Sequence, residues 1–160
     1  LHIMTLKRNC TDELFEFLGF DSFLEFLPLG IDELIPMKAE KIVNKKFNGK
    51  CYDMEYFIKN KKYLYKPKYK TFKCAFPNWD NTARKCYKKA KIYQSNPENF
   101  KIWLKDIMNW TKEKHSSDEQ FVFINAWNEW AEGAHLEPCQ KYGYAYLNAV
   151  KEAIEELNEL

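Results

Sequence analysis

The alternation of helix-like and strand-like segments is the feature that most restricts how this chain can fold. Strand patterns occupy residues 20–26, 70–76 and 121–124, and segments with helix signals stand before, between and after them. Antiparallel neighbours can be joined by a short hairpin, whereas parallel strands need a long crossover that is usually a helix. The alternation therefore predicts an α/β fold with a parallel sheet and about three strand–helix units.

Each predicted helix has its own start or stop signal. Thr11 can cap the segment DELFEFL, which ends at Gly19, a residue favoured just after a helix. A second helix is expected over 53–61, and the clearest one begins at 96–97, where asparagine precedes a proline at the first helical position. The last helix is expected over 144–160 with one apolar face. That face consists of Leu147, Val150, Ile154 and Leu157.

Two architectures contain this alternation, the open doubly wound sheet and the (β/α)₈ barrel. The chain has only 5 glycines, and no glycine-rich loop follows a predicted strand, which disfavours a nucleotide-binding open sheet. A complete barrel needs about 250 residues, and this chain has 160. We therefore expect residues 1–160 to form a single partial domain belonging to an incomplete barrel.

Composition excludes several classes of protein. Hydrophobic residues make up 46% and charged residues 30% of the chain, which is typical of a globular protein rather than a disordered one. The longest uncharged runs, 120–128 and 142–150, are too short to span a membrane. No H-E-x-x-H or other paired metal-ligand spacing is present, so we expect neither a metal nor a cofactor.

The cysteines are odd in number and widely spread, without C-x-x-C spacing. We expect them to be reduced thiols that pack as small apolar side chains, which favours a cytoplasmic location. They are Cys10, Cys51, Cys74, Cys86 and Cys139.

Charge is distributed unevenly along the chain. Residues 38–91 contain 17 Lys+Arg and 4 Asp+Glu, although the net charge of the whole chain is only +2. Such a segment can attract phosphate, an anionic glycan or a nucleic acid. A solvated lysine-rich surface is the simpler interpretation, because no nucleic-acid-binding module accompanies it. A nucleic-acid partner is therefore not expected.

Residues suited to chemistry follow the predicted strands. The loop after the second strand, PNWDNTARK, carries Trp79, Asp80, Asn81 and Arg84. The loop after the third strand, NAWNEWAEGAHLEP, carries Trp127, Asn128, Glu129, Trp130, Glu132, His135 and Glu137. Asp21 and Glu25 lie within or just after the first strand. Because loops that leave the carboxyl ends of parallel strands converge in a barrel, we expect a polar pocket with aromatic walls.

Glu129 and Glu132 are the candidate catalytic residues. Two carboxylates three residues apart share a face if the loop turns helically, and their like charges raise one pKa. One group can then act as an acid and the other as a base, as cleavage of a glycosidic bond requires. An E-x-x-E pair is also common on solvated helix faces. Here the pair follows an apolar strand and lies among tryptophans, which favours a catalytic role.

The run FVFINAWNEWAEGAHLEPCQKYGYAYLNAV closely resembles the C-terminal signature of the WbsX-like glycosyltransferase family of bacterial surface-polysaccharide loci. That family is similar to glycoside hydrolase family ninety-nine, the endo-α-mannosidases and endo-α-mannanases. FPNWDNTARK, GFDSFLEF and CYDMEYF resemble earlier landmarks of the family, and the resemblance covers about residues 19–150. It implies the C-terminal part of a (β/α)₈ barrel that acts on α-linked glycans, in lipopolysaccharide or other surface-polysaccharide metabolism.

The resemblance also implies roles for individual residues. In the hydrolases, two glutamates of the matching loop carry out catalysis with retention of configuration and without a metal. Carried over, Glu129 assists the substrate 2-hydroxyl as it attacks the anomeric carbon, and Glu132 is the acid and then the base. The expected substrate-binding residues are Trp79, Asp80, Asn81, Arg84, Trp127, Asn128, Trp130 and Glu137.

This chain departs from the family pattern in three respects. Cys139 follows Pro138 where an aspartate is usual, and the segment 27–29 replaces a paired-proline segment. The N-terminal half of the barrel is absent, so we expect the 160 residues to require it as a partner and to be inactive alone.

Three functions are compatible with these observations. The leading one is a glycan-active enzyme, either a glycosyltransferase or a retaining hydrolase, whose substrate is a glycan or a sugar donor. The second is a truncated carbohydrate-binding remnant that keeps the aromatic groove without catalysis. The third is an anion- or nucleic-acid-binding protein that works through residues 38–91, and it predicts binding that falls steeply with salt.

Overall fold

A computed structural model of the protein describes residues 1–31 and 43–158, with the backbone alone at 86–88. The strands of this part of the chain are β1 (Met4–Leu6), β2 (Ser22–Leu24), β3 (Lys50–Asp53), β4 (Thr71–Ala75), β5 (Trp79–Asp80), β6 (Lys91–Gln94), β7 (Val122–Ile124), β8 (Asn128–Glu129) and β9 (Ala134–His135). The helices are α1 (Asp12–Leu18), α2 (Met54–Lys59), α3 (Thr82–Lys89), α4 (Pro97–Lys114) and α5 (Ala145–Asn158).

A four-stranded parallel sheet with the order β1-β2-β4-β7 forms the centre of the fold. Met4 is level with Ser22, and Ala75 is level with Ile124, across the first and last strand pairs. A second sheet has the order β3-β6-β5, and β8 pairs with β9 as a small hairpin. The prediction of an α/β fold with a parallel sheet is confirmed. The strands in the described part of the chain do not close into a barrel.

The sheet differs from expectation at both edges. The sequence predicted about three strand–helix units, but β1 adds a fourth parallel strand that is too short to show an alternating pattern. Among the described strands, the apolar run at 121–124 supplies the opposite edge of this sheet. Its strand is only half-buried, with Phe121 56% exposed, because β7 pairs with β4 alone among the described strands.

Three predicted helix starts are confirmed by side-chain caps. The Thr11 hydroxyl accepts a hydrogen bond from Leu14 N at 3.3 Å. The Asp53 carboxylate accepts one from Glu55 N at 2.9 Å, so α2 begins one residue later than expected. The Asn96 side chain accepts one from Asn99 N at 2.8 Å. Each cap satisfies a backbone N–H that has no partner within the helix.

The core lies between the sheets and the packed pair α4 and α5. Its centre is Trp103, which is fully buried and contacts Phe76 and Phe57 edge to face. Helix α5 contributes Tyr146, Ala149 and Ala153, all buried.

The apolar face predicted for the last helix is therefore rotated. Small alanines allow α5 to approach α4 closely, and Ile154 remains 46% exposed. Residues 159 and 160 of that predicted helix lie outside the described residues.

The interpretation of residues 38–91 as a solvated lysine-rich surface is correct only in part. Residues 38–42 lie outside the described residues, and many of the later lysines are exposed. Lys73 is an exception with no exposed surface, because it points from β4 into the layer beneath α4 and pairs with the Glu25 carboxylate at 2.9 Å.

Cys10, Cys74 and Cys139 carry free thiols, and burial raises the pKa of Cys74 to about 12. The side chain of Cys86 is outside the described set. No helix in the described ranges has the length and apolar character needed to cross a membrane.

Candidate functional site

Three loops meet at the carboxyl ends of the central strands. Asn125, directly after β7, donates its side-chain N–H to Leu27 O at 2.7 Å, which ties it to the segment after β2. Arg84 of α3 forms an ion pair with Glu132. The loops after β2, β4 and β7 therefore converge, as the strand order predicts for parallel neighbours.

The hairpin formed by β8 and β9 carries the candidate catalytic residues. A turn of 3-10 helix, Trp130–Glu132, connects the two strands. Gly133 ends this turn with φ of +60°, a conformation that favours glycine. A Cβ on Gly133 would lie 3.1 Å from Asp80 N, so the hairpin packs closely against the loop after β4.

Glu129 and Glu132 occupy different environments at the two ends of this turn. Glu129 is exposed, whereas Glu132 is only 9% exposed and faces the Arg84 guanidinium. Burial raises the pKa of the Glu132 carboxyl above its ordinary value; Arg84 opposes this shift and the negative charge of Glu129 adds to it. The pair thus contains one carboxyl that retains its proton more readily than an ordinary glutamate.

Exposed aromatic side chains flank the carboxylates. Trp130 stacks on His135 with ring centroids 3.7 Å apart, and its indole N–H donates to the Glu137 carboxylate at 2.6 Å. Trp127 and Trp130 are 53% and 50% exposed. A lone histidine is seldom a ligand, and here the stacked ring of His135 fixes the plane of the Trp130 ring.

The predicted residues on the loop after β4 have contacts of a different kind. Trp79 is 3% exposed and belongs to the core. Asn81 is buried, and its side-chain oxygen accepts from Lys91 N at 2.7 Å. Asp80 accepts from Thr82 N at 2.9 Å and remains half-buried beside the hairpin.

The acidic residues of the first strand do not join this site. Glu25 turns toward the helix layer, where it pairs with Lys73 and accepts a hydrogen bond from the Tyr65 hydroxyl at 2.5 Å. Asp21 accepts from Ile3 N at 2.7 Å and joins the chain start to β2. The expectation that these acids line the pocket was wrong, because Glu25 is held by Lys73 and Tyr65 and Asp21 is held by the backbone of Ile3.

Tyr142 and Tyr146 lie beside the hairpin and were not identified from the sequence. Their spacing of four residues at the start of α5 is the signal that was available. Within the described ranges, no cluster of three or more His, Cys, Asp or Glu side chains has the arrangement of a metal site.

Comparisons with known proteins indicate the family of the chain. The family model for the glycosyltransferase WbsX matches residues 1–150. Two relatives, both named uncharacterized protein WxcX, come from Xanthomonas campestris pv. campestris strains B100 and ATCC 33913. Each is 32% identical over 137 residues, which are 86% of this chain.

The matched region is 20% of each relative's length, so this chain spans about a fifth of the curated relatives that it matches. No solved structure matches the chain. Because the family model covers nearly the whole sequence, including both site loops, the chain belongs to the WbsX glycosyltransferase family.

Proposed function

We propose that this chain is the catalytic C-terminal part of a glycan-active enzyme, a glycosyltransferase or retaining glycoside hydrolase of bacterial surface-polysaccharide metabolism. The observation that supports this best is the unequal pair of carboxyls on the β8–β9 hairpin. Glu132 is buried with a raised pKa, and Glu129 is exposed. Different environments that separate the pKa values of two like groups create an acid and a base from the same side-chain type.

In this proposal Glu132 is the acid that protonates the leaving oxygen. Its burial raises the pKa of the carboxyl and so favours the protonated form that an acid needs, and the Arg84 guanidinium holds the carboxyl in place. Glu129 is exposed toward the open side of the loop, where it can accept a proton from a sugar hydroxyl. As that hydroxyl oxygen bonds to the anomeric carbon, the bond to the leaving oxygen breaks. In the second step Glu132 takes a proton from water or from an acceptor hydroxyl, whose oxygen attacks the anomeric carbon, and Glu129 returns its proton to the sugar hydroxyl that is released.

The surrounding residues divide into two groups by exposure. Trp127, Asn128 and Trp130 are exposed and are proposed to contact the sugar, with aromatic faces packing on its C–H groups. Glu137 contributes by orienting Trp130. Trp79 and Asn81 are buried and are proposed to hold the loop after β4 in position.

The test is turnover by the protein as its gene encodes it, with glycan product followed by mass spectrometry. Glu132→Gln and Glu129→Gln are each expected to reduce kcat about 10²- to 10⁴-fold, the usual contribution of a general acid or base. Glu113→Gln, on the exposed surface of α4, is the matched control and should leave kcat unchanged. Wild-type turnover in both site variants would refute the assignment.

Transfer and hydrolysis differ only in which hydroxyl attacks in the second step. Product analysis with and without added acceptor sugar separates them.

A second candidate, a non-catalytic carbohydrate-binding module, is favoured by the Trp130–His135 stack, which forms an aromatic platform independent of the carboxylates. Glycan binding without turnover in the untruncated protein would support that alternative.

We further propose that the parallel sheet is the C-terminal part of a (β/α)₈ barrel in a cytoplasmic protein. Two observations support the barrel: the four parallel strands succeed one another across the sheet in the order in which they occur in the chain, and the relatives are about five times longer than the matched region. An apolar groove of about 260 Å³ beside β7, lined by residues such as Met108, Ile124 and Ile154, is a suitable place for a further strand–helix unit. A native protein of 19.2 kDa that turns over glycan alone would refute this barrel proposal.

A further inference from the structure

A cavity beside β1 and β2 is used by no step of the proposed mechanism. It has a volume of about 440 Å³, within the range of small-molecule sites. Lys7 and Arg8, in the 3-10 turn that follows β1, line it together with Glu25 and Phe26, which follow β2. Tyr65, from the loop before β4, completes the polar part of the wall. Three segments that are distant in the chain therefore build this cavity.

The carboxylate of Glu25 is the buried charged group of the cavity. Glu25 is only 7% exposed. Its Oε1 accepts hydrogen bonds from the Tyr65 hydroxyl at 2.5 Å and from Lys73 Nζ at 2.9 Å, and its Oε2 accepts one from Cys74 N at 3.4 Å. Lys73 thus matches the charge of Glu25, and the carboxylate is not available to neutralise a further cation.

Lys7 and Arg8 leave the cavity with a surplus of positive charge. Lys7 Nζ donates to the Tyr65 hydroxyl at 2.8 Å and lies 4.2 Å from the centre of the same ring. Within the described ranges neither Lys7 nor Arg8 forms an ion pair with a carboxylate. Together with Lys73, three cations accompany the single carboxylate of Glu25, which is a surplus of two positive charges.

These cations lie close enough to repel one another. Burial lowers the pKa of Lys73; Glu25 opposes this shift, and the positive charge of Lys7 adds to it. A bound anion would relieve this repulsion, because an opposite charge favours the charged form of a neighbouring group. The electrostatics of the cavity therefore favour an anionic ligand.

The remaining lining indicates which anion fits. A guanidinium binds two phosphate oxygens in a fork, and an ammonium binds phosphate as a point charge. A phosphate monoester carries about −1.5 to −2 charges at pH 7, which matches the surplus, whereas a carboxylate carries one. Phe26, which is 39% exposed, and Leu29 add apolar surface to the same cavity. The ligand that suits all of these groups has a phosphate at one end and an apolar group at the other.

We propose that this cavity binds the phosphate of a monoester whose alcohol is apolar. Lys7 and Arg8 contact the phosphate, and Phe26 and Leu29 pack against the apolar group. Tyr65 positions the Lys7 ammonium. The inference goes beyond the proposed glycan activity and does not rest on it.

The test measures the Kd of butyl phosphate by calorimetry at low salt, with the protein as its gene encodes it. Lys7→Gln and Arg8→Gln each remove one cation from the cavity. The matched control is the double variant Lys45→Gln and Lys46→Gln, which removes two positive charges from exposed residues that do not line the cavity. A thermal melt of each variant checks that it is folded.

Two comparison probes separate the parts of the ligand. Inorganic phosphate lacks the apolar group, and pentanoate has an apolar chain of similar length with a single negative charge. Vesicles of equal parts phosphatidylcholine and phosphatidic acid separate the two sources of the phosphate. Vesicle binding that is lost in Lys7→Gln assigns a lipid headgroup, and binding of butyl phosphate without vesicle binding assigns a small soluble ester.

Lys7→Gln and Arg8→Gln are each expected to weaken binding of butyl phosphate about tenfold, since each loses a charge-assisted hydrogen bond. The lysine control should stay within twofold of wild type, and all melting temperatures should be unchanged. Butyl phosphate should bind about tenfold more tightly than inorganic phosphate, the effect of burying roughly two methylene groups, and more tightly than pentanoate.

Four results would overturn the proposal. Wild type that does not bind butyl phosphate, or site variants that both bind within twofold of wild type, would show that the cavity is not a phosphate site. An equal loss in the lysine control would show only long-range attraction by net charge. Equal affinity for inorganic phosphate or for pentanoate would remove the assignment of a phosphate ester with an apolar group.

Discussion

The buried ion pair between Glu25 and Lys73 allows a quantitative prediction. The Lys73 ammonium has no exposed surface and donates to Glu25 Oε1 at 2.9 Å and to Tyr63 O at 2.8 Å. It also lies 3.7 Å from the centre of the Tyr65 ring. Glu25→Gln removes its counter-charge and leaves a buried ammonium beside the Tyr63 carbonyl and the aromatic faces of Tyr65 and Trp110.

Breaking such a pair from one side typically costs about 3–5 kcal/mol. We expect Glu25→Gln and Lys73→Met each to lower the free energy of unfolding by that amount at pH 7, measured in urea by tryptophan fluorescence. The matched control is Lys70→Met, which removes an exposed pair with Glu119 at 2.7 Å. That surface pair is worth less than about 1 kcal/mol.

The deficit of Glu25→Gln should also depend on pH. Burial lowers the pKa of Lys73 below its ordinary 10.5, and loss of Glu25 lowers it further. Between the folded and unfolded pKa values the unfolded chain binds more protons, so stability rises with pH. The deficit should shrink from pH 7 to pH 9, whereas that of Lys73→Met should not recover. Losses within 1 kcal/mol of the Lys70→Met control would refute the reasoning.

Two further predictions concern the hairpin. Gly133→Ala should lower the melting temperature more than Gly19→Ala does. Both glycines have a positive φ, but only at Gly133 would a Cβ meet Asp80 N, at 3.1 Å. Equal losses would show that the close packing is unimportant. Arg84→Met should move the alkaline limb of the pH–rate profile to higher pH. Arg84 lowers the pKa of Glu132, so its loss lets that carboxyl stay protonated up to a higher pH. A shift of the limb to lower pH would contradict the acid role.

The elements predicted correctly are those with local signals. The caps at Thr11 and Asn96 and the alternating strand at 70–76 depend on residues within one or two turns of each other. Strand β1 has three residues and β5 has two, too few for a period to be visible. Their existence depends on pairing with distant segments, which a single sequence does not display.

The site shows the same division between local and distant information. The E-x-x-E spacing and the neighbouring tryptophans were visible in the sequence, and the strand order explains why the loops converge. The ion pair of Arg84 with Glu132 joins residues far apart in the chain. Spacing alone predicted that the two carboxyls would differ. The burial of Glu132, against the opposing charge of Arg84, raises its pKa and favours its protonated form.

In the part of the chain that the structure describes, both edges of the central sheet leave apolar side chains exposed. Phe121 is 56% exposed at the β7 edge, and at the β1 edge Ile3 and Met4 are 46% and 41% exposed. A soluble protein seldom leaves apolar strand edges unpaired, because they template association with other chains. In the proposed barrel the remaining strands would cover both edges, and their loops would meet the open side of the hairpin where Glu129 lies. The remainder of a substrate pocket would then come from those loops, and for this reason the glutamate variants are to be tested in the protein as its gene encodes it.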